Sequence, residues 1–247
     1  MMMPYHHGRT GVKMDSVVNP LQLSRFIRVY DDAAANKGIR LSIGFDFHDY
    51  VSITRSLPTK TPTYPIFRPD RSPIEKGKGY WLIGLDKHNE VALAEAARLY
   101  DLSHTNFAEL LESLKMFYAD PATHAHPQDR CICTAPSARK ITGKMAYHGD
   151  VWVRPEFRGQ GMLKIMTGIL RGVTLALWAP DYVCGLAGRW SLDKSVYGAM
   201  HHEPGGAMLH LVEEDIVAED WLLWTTGEEL RNLLLASHDR SDRTVES

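Results

Sequence analysis

The sequence predicts an α+β fold, and two segments carry that prediction. Two apolar runs, residues 80–85 and 91–99, are joined by Asp86-Lys87-His88-Asn89, a composition suited to a tight antiparallel hairpin. Further on, a strand-like run over residues 147–153 breaks at Pro155 and turns through Gly159 and Gly161. It then enters a segment where Met162, Ile165, Met166, Ile169, Leu170, Val173 and Leu177 recur at helical spacing.

The other elements follow in chain order. Asn19 and Pro20 form a cap and first-turn pair ahead of Leu21, Leu23, Phe26, Ile27 and Tyr30, and Gly38 closes that helix. Residues 41–47 read as a strand. Residues 57–79 carry prolines at 58, 62, 65, 69 and 73 with no periodicity, and are expected to form a long loop. An insertion of about residues 103–140 opens with Asn106 and Glu109 as a capping box, with Phe107, Leu110, Leu111, Leu114 and Phe117 on one helix face. Beyond the glycine turn and its helix, residues 181–187 read as a strand and 192–200 as a short helix capped by Ser191. Residues 209–212 read as another strand, and Thr226 with Glu229 caps a last helix through Leu230, Leu233 and Leu234. There is no internal repeat.

Composition bounds the function classes. A chain of 247 residues with 44% hydrophobic content buries a real core, as one domain over 14–237 carrying the insertion. The formal net charge of -2 gives no electrostatic footprint for nucleic acid. Three cysteines make no disulfide framework, which points to a cytoplasmic protein. No apolar run approaches the ~20 residues needed to span a bilayer, so no membrane partner is expected. Residues 1–13 lack the apolar core of a secretory signal and are expected to be a disordered extension, with Met14 a plausible start. Residues 238–247 are expected to be a disordered tail.

The glycine turn carries the chemistry. Glycines let a backbone approach a ligand without Cβ interference, and the first N–H groups of a helix favour a phosphate. A dinucleotide fingerprint needs a third glycine where this chain has Lys164, and no Gly-Lys-Ser/Thr triplet exists for a P-loop. What remains resembles motif A of the GNAT N-acetyltransferase superfamily, Arg/Gln-x-x-Gly-x-Gly/Ala after a strand ending in hydrophobic-x-Pro-Glu. Val153, Pro155, Glu156, Arg158 and Gly161 occupy those positions, whereas Leu163 stands where the family has Gly or Ala.

The resemblance implies a mixed, mostly antiparallel central sheet flanked by helices (α/β/α), with a helical insertion before the coenzyme-binding strand. It implies that Arg158, Gly159, Gln160, Gly161, Met162 and Leu163 bind the pyrophosphate of acetyl-coenzyme A. Backbone groups at Val151, Trp152 and Val153 would hold the pantetheine arm as an added strand. It also implies that Tyr197, on the helix after the next strand, protonates the leaving thiolate. The loop over residues 57–79 is expected to act as a lid on the acceptor cleft.

A proton acceptor is less defined. His148, Asp150 and Trp152 are expected on one face of the coenzyme strand by its period of two, so His148 or Asp150 is a candidate base; Glu95, on the neighbouring strand, is a third. Each also reads as a structurally hydrogen-bonded polar residue, Tyr197 as a core tyrosine, and the turn itself as a plain strand-to-helix connection. His124-Ala125-His126 and Cys131-Ile132-Cys133 bring metal-ligand types together, but a Cys-x-Cys pair in a strand shares only one face, and no metal is expected. His202-Glu203 lacks the second zincin histidine, since Gly206 stands there.

The resulting expectation is an acyltransferase that moves acetyl from acetyl-coenzyme A to an amine, small or peptide-borne, in a possible homodimer. Its alternatives are a non-catalytic acyl-coenzyme A sensor or scaffold, and an interaction protein whose glycine turn is structural.

Overall fold

The first helix, α1 (Pro20–Ala35), starts where expected: Leu21 N–H donates to Asn19 Oδ1 at 2.9 Å. In the computed structural model, which describes residues 19–192 and 200–242 without side-chain detail at 235 and 237–242, strand β1 follows at Arg40–Gly44. The strand expected over residues 41–47 ends early because Asp46 caps a helix, accepting from His48 N–H at 2.8 Å; α2 (Phe47–Arg55) results. The hairpin is β2 (Gly79–Leu85) and β3 (Val91–Leu102), and the insertion contains α3 (Phe107–Glu112), α4 (Pro121–His124) and β4 (Arg130–Ile132). The strand–glycine turn–helix unit is β5 (Gly143–Val153) and α5 (Met162–Trp178). Then come β6 (Tyr182–Gly188), α6 (Arg189–Leu192), β7 (His201–Leu211), β8 (Ile216–Thr226) and α7 (Gly227–Asp242).

All eight strands form one sheet in the order β1-β2-β3-β5-β6-β8-β7-β4, antiparallel throughout except for the parallel pair β5 and β6. It is an α+β fold with a mixed, mostly antiparallel sheet between two helical layers. On one face α1, α5 and α7 bury Phe26, Ile169, Leu170 and Leu230 against Leu82, Leu93 and Ala146. On the other, α2, α3 and the proline-rich segment bury Phe47, Tyr50, Phe67 and Phe107 against Ile83, Tyr147 and Trp152. Close approach of α1 to α5 depends on Gly168 and Gly172, where a Cβ would lie 2.4 Å from the Tyr30 ring and 2.5 Å from Ile27.

Four expectations need correction. Residues 57–79 are not a structureless loop: a 3-10 turn at Pro65–Phe67 buries Ile66 and Phe67, and the Arg98 guanidinium ties the segment down through Ile66 O and Pro73 O, both at 2.8 Å. Two fully apolar side chains outweigh five prolines. Ser191 is not a cap: it lies inside α6, which opens at Arg189, with its Oγ donating to Gly188 O; residues 193–199 of the helix expected at 192–200 lie outside the described residues. The strand expected at 209–212 is half of a longer hairpin, β7 with β8. The last helix runs on to Asp242, past the start of the expected tail. Its capping box is as read: Glu229 N–H donates to Thr226 Oγ1 at 3.1 Å and Thr226 N–H to Glu229 Oε2 at 2.9 Å.

The insertion does more than was read. Its strand β4 crosses to the far edge of the sheet and pairs Cys131 with Leu209. Cys131 and Cys133 are buried there, and among the described residues no group of three or more His, Cys, Asp or Glu is placed to hold a metal. No helix among the described residues is long and apolar enough to cross a membrane.

Candidate active site

The site forms where β5 and β6 part. They pair only at Met145 with Tyr182, Ala146 with Val183 and Tyr147 with Cys184; beyond that β5 stays on β3 while β6 stays on β8. A bulge bends β5 at this point. Ala96 and Ala94 of β3 oppose Gly149 and Trp152, so one extra residue is accommodated, and Asp150 adopts a left-handed φ of 57°. A cavity of about 380 Å³ occupies the gap, walled by both strands, by Tyr64 and Phe67 of the proline-rich segment, and by Glu95 and Arg171.

The bulge also breaks the strand's period of two, so His148 and Asp150 do not share a face as expected. His148 turns toward α5. Its Nε2 lies 2.7 Å from Thr174 Oγ1, which lies 2.7 Å from the Tyr80 hydroxyl, which donates to Leu170 O at 3.0 Å. Burial, helped by the Arg171 charge, drives the His148 imidazole down to about 3, so it is neutral at physiological pH. Asp150 faces the opposite way with Trp152. Its carboxylate takes an ion pair from Lys60 Nζ at 2.8 Å and a hydrogen bond from the Tyr50 hydroxyl at 2.7 Å, with the Tyr64 backbone N–H as a further donor. Burial raises the Asp150 carboxyl while Lys60 pulls it down.

Glu95, on β3, is 5% exposed, and burial pushes its carboxyl up to about 8 against the opposing pull of Arg171. The third candidate therefore differs from the other two in having neither a close ion pair nor a hydrogen bond among the described residues. The Trp152 indole N–H lines the same cavity, buried, with no partner there.

The glycine turn lies beyond the end of β5. Gly159 and Gly161 have φ of 74° and 77°, and a Cβ on either would meet nothing within 4 Å, so the backbone is open to approach from outside. Arg158 is exposed, and its Nε donates to Val153 O at 2.8 Å, which braces the turn. Gln160 donates to Glu156 O at 2.6 Å. Met162 is buried, and Leu163, partly buried, packs against the core beneath α5. Arg154 N–H donates to Ala92 O at 2.9 Å, so ladder alternation directs the Val153 N–H away from β3, to the edge that β6 has left. Tyr197 lies outside the described residues.

Sequence reasoning missed Lys60, Tyr64, Arg171 and Asp220. Lys60 and Tyr64 sit in a segment without periodicity and Asp220 in the strand that was not read, so only the fold brings them to the cavity.

No protein-family model matches the chain, and no curated protein matches it. Among solved structures, NAA60 of Arabidopsis thaliana in complex with acetyl-CoA is 12% identical, aligning over 76% of this chain and 98% of its own with a TM-score of 0.45. Mutant forms of the spermidine/spermine N-acetyltransferase SpeG from Vibrio cholerae are 10% identical over 80% of this chain and 98% of theirs, at 0.43. An acyl-CoA N-acyltransferase from Pseudomonas aeruginosa is 10% identical over 76% of this chain and 99% of its own, also at 0.43. The element order, the sheet order and a parallel pair that parts ahead of a strand–glycine turn–helix unit make the fold of this chain GNAT-like.

Proposed function

We propose that the protein is an N-acyltransferase that uses acetyl-CoA and an amine acceptor. The observation that carries this reading is the parting of β5 from β6, which leaves a free strand edge running from a cavity toward an open glycine turn. The residues present fit the coenzyme: open space stands over Gly159 and Gly161, and the Trp152 indole N–H is a buried donor in want of an acceptor. Acetyl-CoA, when bound, supplies an activated thioester. The N–H groups of Gly161, Met162 and Leu163 would hold its pyrophosphate, with the Arg158 side chain bracing the turn behind them. Val151 and Val153 would hold the arm by strand addition, and Trp152 would donate to a carbonyl oxygen.

Proton transfer falls to Glu95. A carboxyl near 8 in a cavity is a matched acceptor for an ammonium proton, directly or through water. His148 is too weak a base at about 3, and Asp150 is neutralised by Lys60, so both act as braces for the bulge. Tyr197 keeps the role of proton donor to the leaving sulfur. The test is calorimetric titration of acetyl-CoA, coenzyme A and pantetheine, then an amine panel assayed for free thiol. Equal affinity for coenzyme A and pantetheine would sink the pyrophosphate cradle. Tyr197→Phe is expected to retain coenzyme binding and lose ~10²–10⁴-fold in chemistry-limited turnover; full activity would remove it from the mechanism.

A second reading has one observation behind it: two of the three candidate bases, His148 and Asp150, are engaged structurally. It is an acyl-CoA sensor or scaffold, and binding without turnover on every amine would establish it.

A further inference from the structure

Among the described residues, the charged side chains lining the cavity are Lys60, Glu95, Asp150, Arg171 and Asp220. Lys60 pairs with Asp150 on the sheet face covered by α2, and Glu95 faces the Arg171 charge on the α5 face. Asp220 is left over. It stands on β8 opposite Gly188 of β6, on the same face as Leu222 and Tyr64, with no hydrogen bond or ion pair among the described residues; burial alone acts on its carboxyl, which at about 6 is ionised at neutral pH. Among the described residues this carboxylate in a partly buried wall has lost water without gaining a counterion, so a cation that enters the cavity would be held there.

Its surroundings suit a cation. A Cβ at Gly188 would lie 2.9 Å from Trp190 Nε1 and 3.9 Å from Asp220 Oδ1, so the missing side chain leaves room for both groups at this point of the wall. Tyr64 is close enough for Asp220 to help burial lift its phenol to about 12, keeping it neutral. A carboxylate with two aromatic rings is a receptor for an ammonium or guanidinium group.

That cation is not the reacting nitrogen. An amine held by a carboxylate keeps its proton, whereas attack on a thioester needs a neutral amine. Distance agrees: the strands part at Cys184 and Gly188 is four residues further along β6, about 13 Å at strand rise. We propose that Asp220, framed by Tyr64 and Trp190, anchors a second cationic group of the acceptor, so that the substrate class is a dicationic amine with one nitrogen acylated and the other held. The inference rests on the N-acyltransferase reading for the reaction, though not for the anchor itself.

The experiment separates the two. An α,ω-diaminoalkane series and the n-alkylamines of matching length are titrated into the protein without coenzyme, and then compared as acceptors in the free-thiol assay. The diamine is expected to bind roughly tenfold to hundredfold more tightly than its monoamine partner, the range for a charge-assisted hydrogen bond. Asp220→Asn should bring that preference to near unity, and Asp220→Glu should keep part of it. Trp190→Ala, at a residue 68% exposed, should lower the preference roughly twofold to fivefold and serves if Asp220→Asn does not fold. Equal binding of diamine and monoamine, or a preference unchanged in a folded variant, overturns the anchor. Failure to bind acetyl-CoA sinks the acyltransferase reading instead, and the coenzyme-free titration still decides Asp220.

Discussion

The two faces of the sheet around the bulge solve the same problem differently. On the α5 face, His148 and Glu95 are buried as neutral groups, the imidazole near 3 and the carboxyl near 8. On the opposite face, Asp150 is buried as half of an ion pair whose side chains are each 3% exposed. One extra residue in the strand separates these regimes. A carboxyl near 8 can release and regain a proton close to neutral pH, whereas an imidazole near 3 and a locked ion pair fix geometry. Under the proposed function the difference gives proton traffic to Glu95 on the α5 face, while the Lys60–Asp150 pair on the other holds the proline-rich cover.

The largest expected effect tests the first regime. Glu95 stays protonated in the folded protein up to about 8 but ionises near its ordinary 4.5 when unfolded, so its contribution to stability is complete below 4.5 and is lost as pH rises through 8, by roughly 4–5 kcal/mol. His148 runs the other way: its contribution is complete above 6.5 and is lost as pH falls toward 3. From these two groups a plateau follows between 4.5 and 6.5, where the slopes oppose. Urea midpoints measured across pH should show Glu95→Gln flattening the alkaline limb; an unaltered decline would break the assignment. If Glu95 is also the base, kcat/KM should rise with an apparent pKa near 8 in the wild type and lose that limb in the variant.

The second regime is tested by Lys60→Met, which strands a buried carboxylate and should cost about 3–5 kcal/mol in chemical denaturation. Adding Asp150→Asn should return much of it, because the pair is then absent on both sides. A double variant no better than the single one would mean that Lys60 matters for packing alone.

Smaller effects sharpen the contrast at the turn, which belongs to neither face. Gly161→Ala should cost about 1 kcal/mol in folding, since φ of 77° strains an L-residue, and on the order of 1–3 kcal/mol in coenzyme A affinity. Calorimetry beside a thermal melt separates the two; loss of stability with full affinity would remove the turn from the binding site. Least of all, Thr226→Ala should remove about 1 kcal/mol by opening the capping box of α7, read from the melt alone.

The turn, the hairpin and the capping box were legible because each is local: Gly159 and Gly161 at a strand-to-helix junction, four polar residues between apolar runs, Thr226 three residues before Glu229. The grouping of His148 with Asp150 was not legible, since strand alternation holds only where no residue is inserted, and nothing in Gly149-Asp150-Val151 announces a bulge. Ile66 and Phe67 were hidden by their prolines. Asp220 sits beside Glu219 between two apolar runs of β8, and its meaning depends on Gly188, thirty-two positions away, having no side chain.

The insertion has a further consequence at the sheet's rim. β7 would otherwise end the sheet as an eleven-residue strand with an open ladder, a ready template for another chain. β4 covers it with three residues, and Thr134 and Ala135 continue the cover by donating to Gly205 O, both at 2.9 Å. The opposite rim, β1, is five residues long. Both rims among the described residues are thus short strands, which disfavours the joining of sheets edge to edge and favours association through the helical layers.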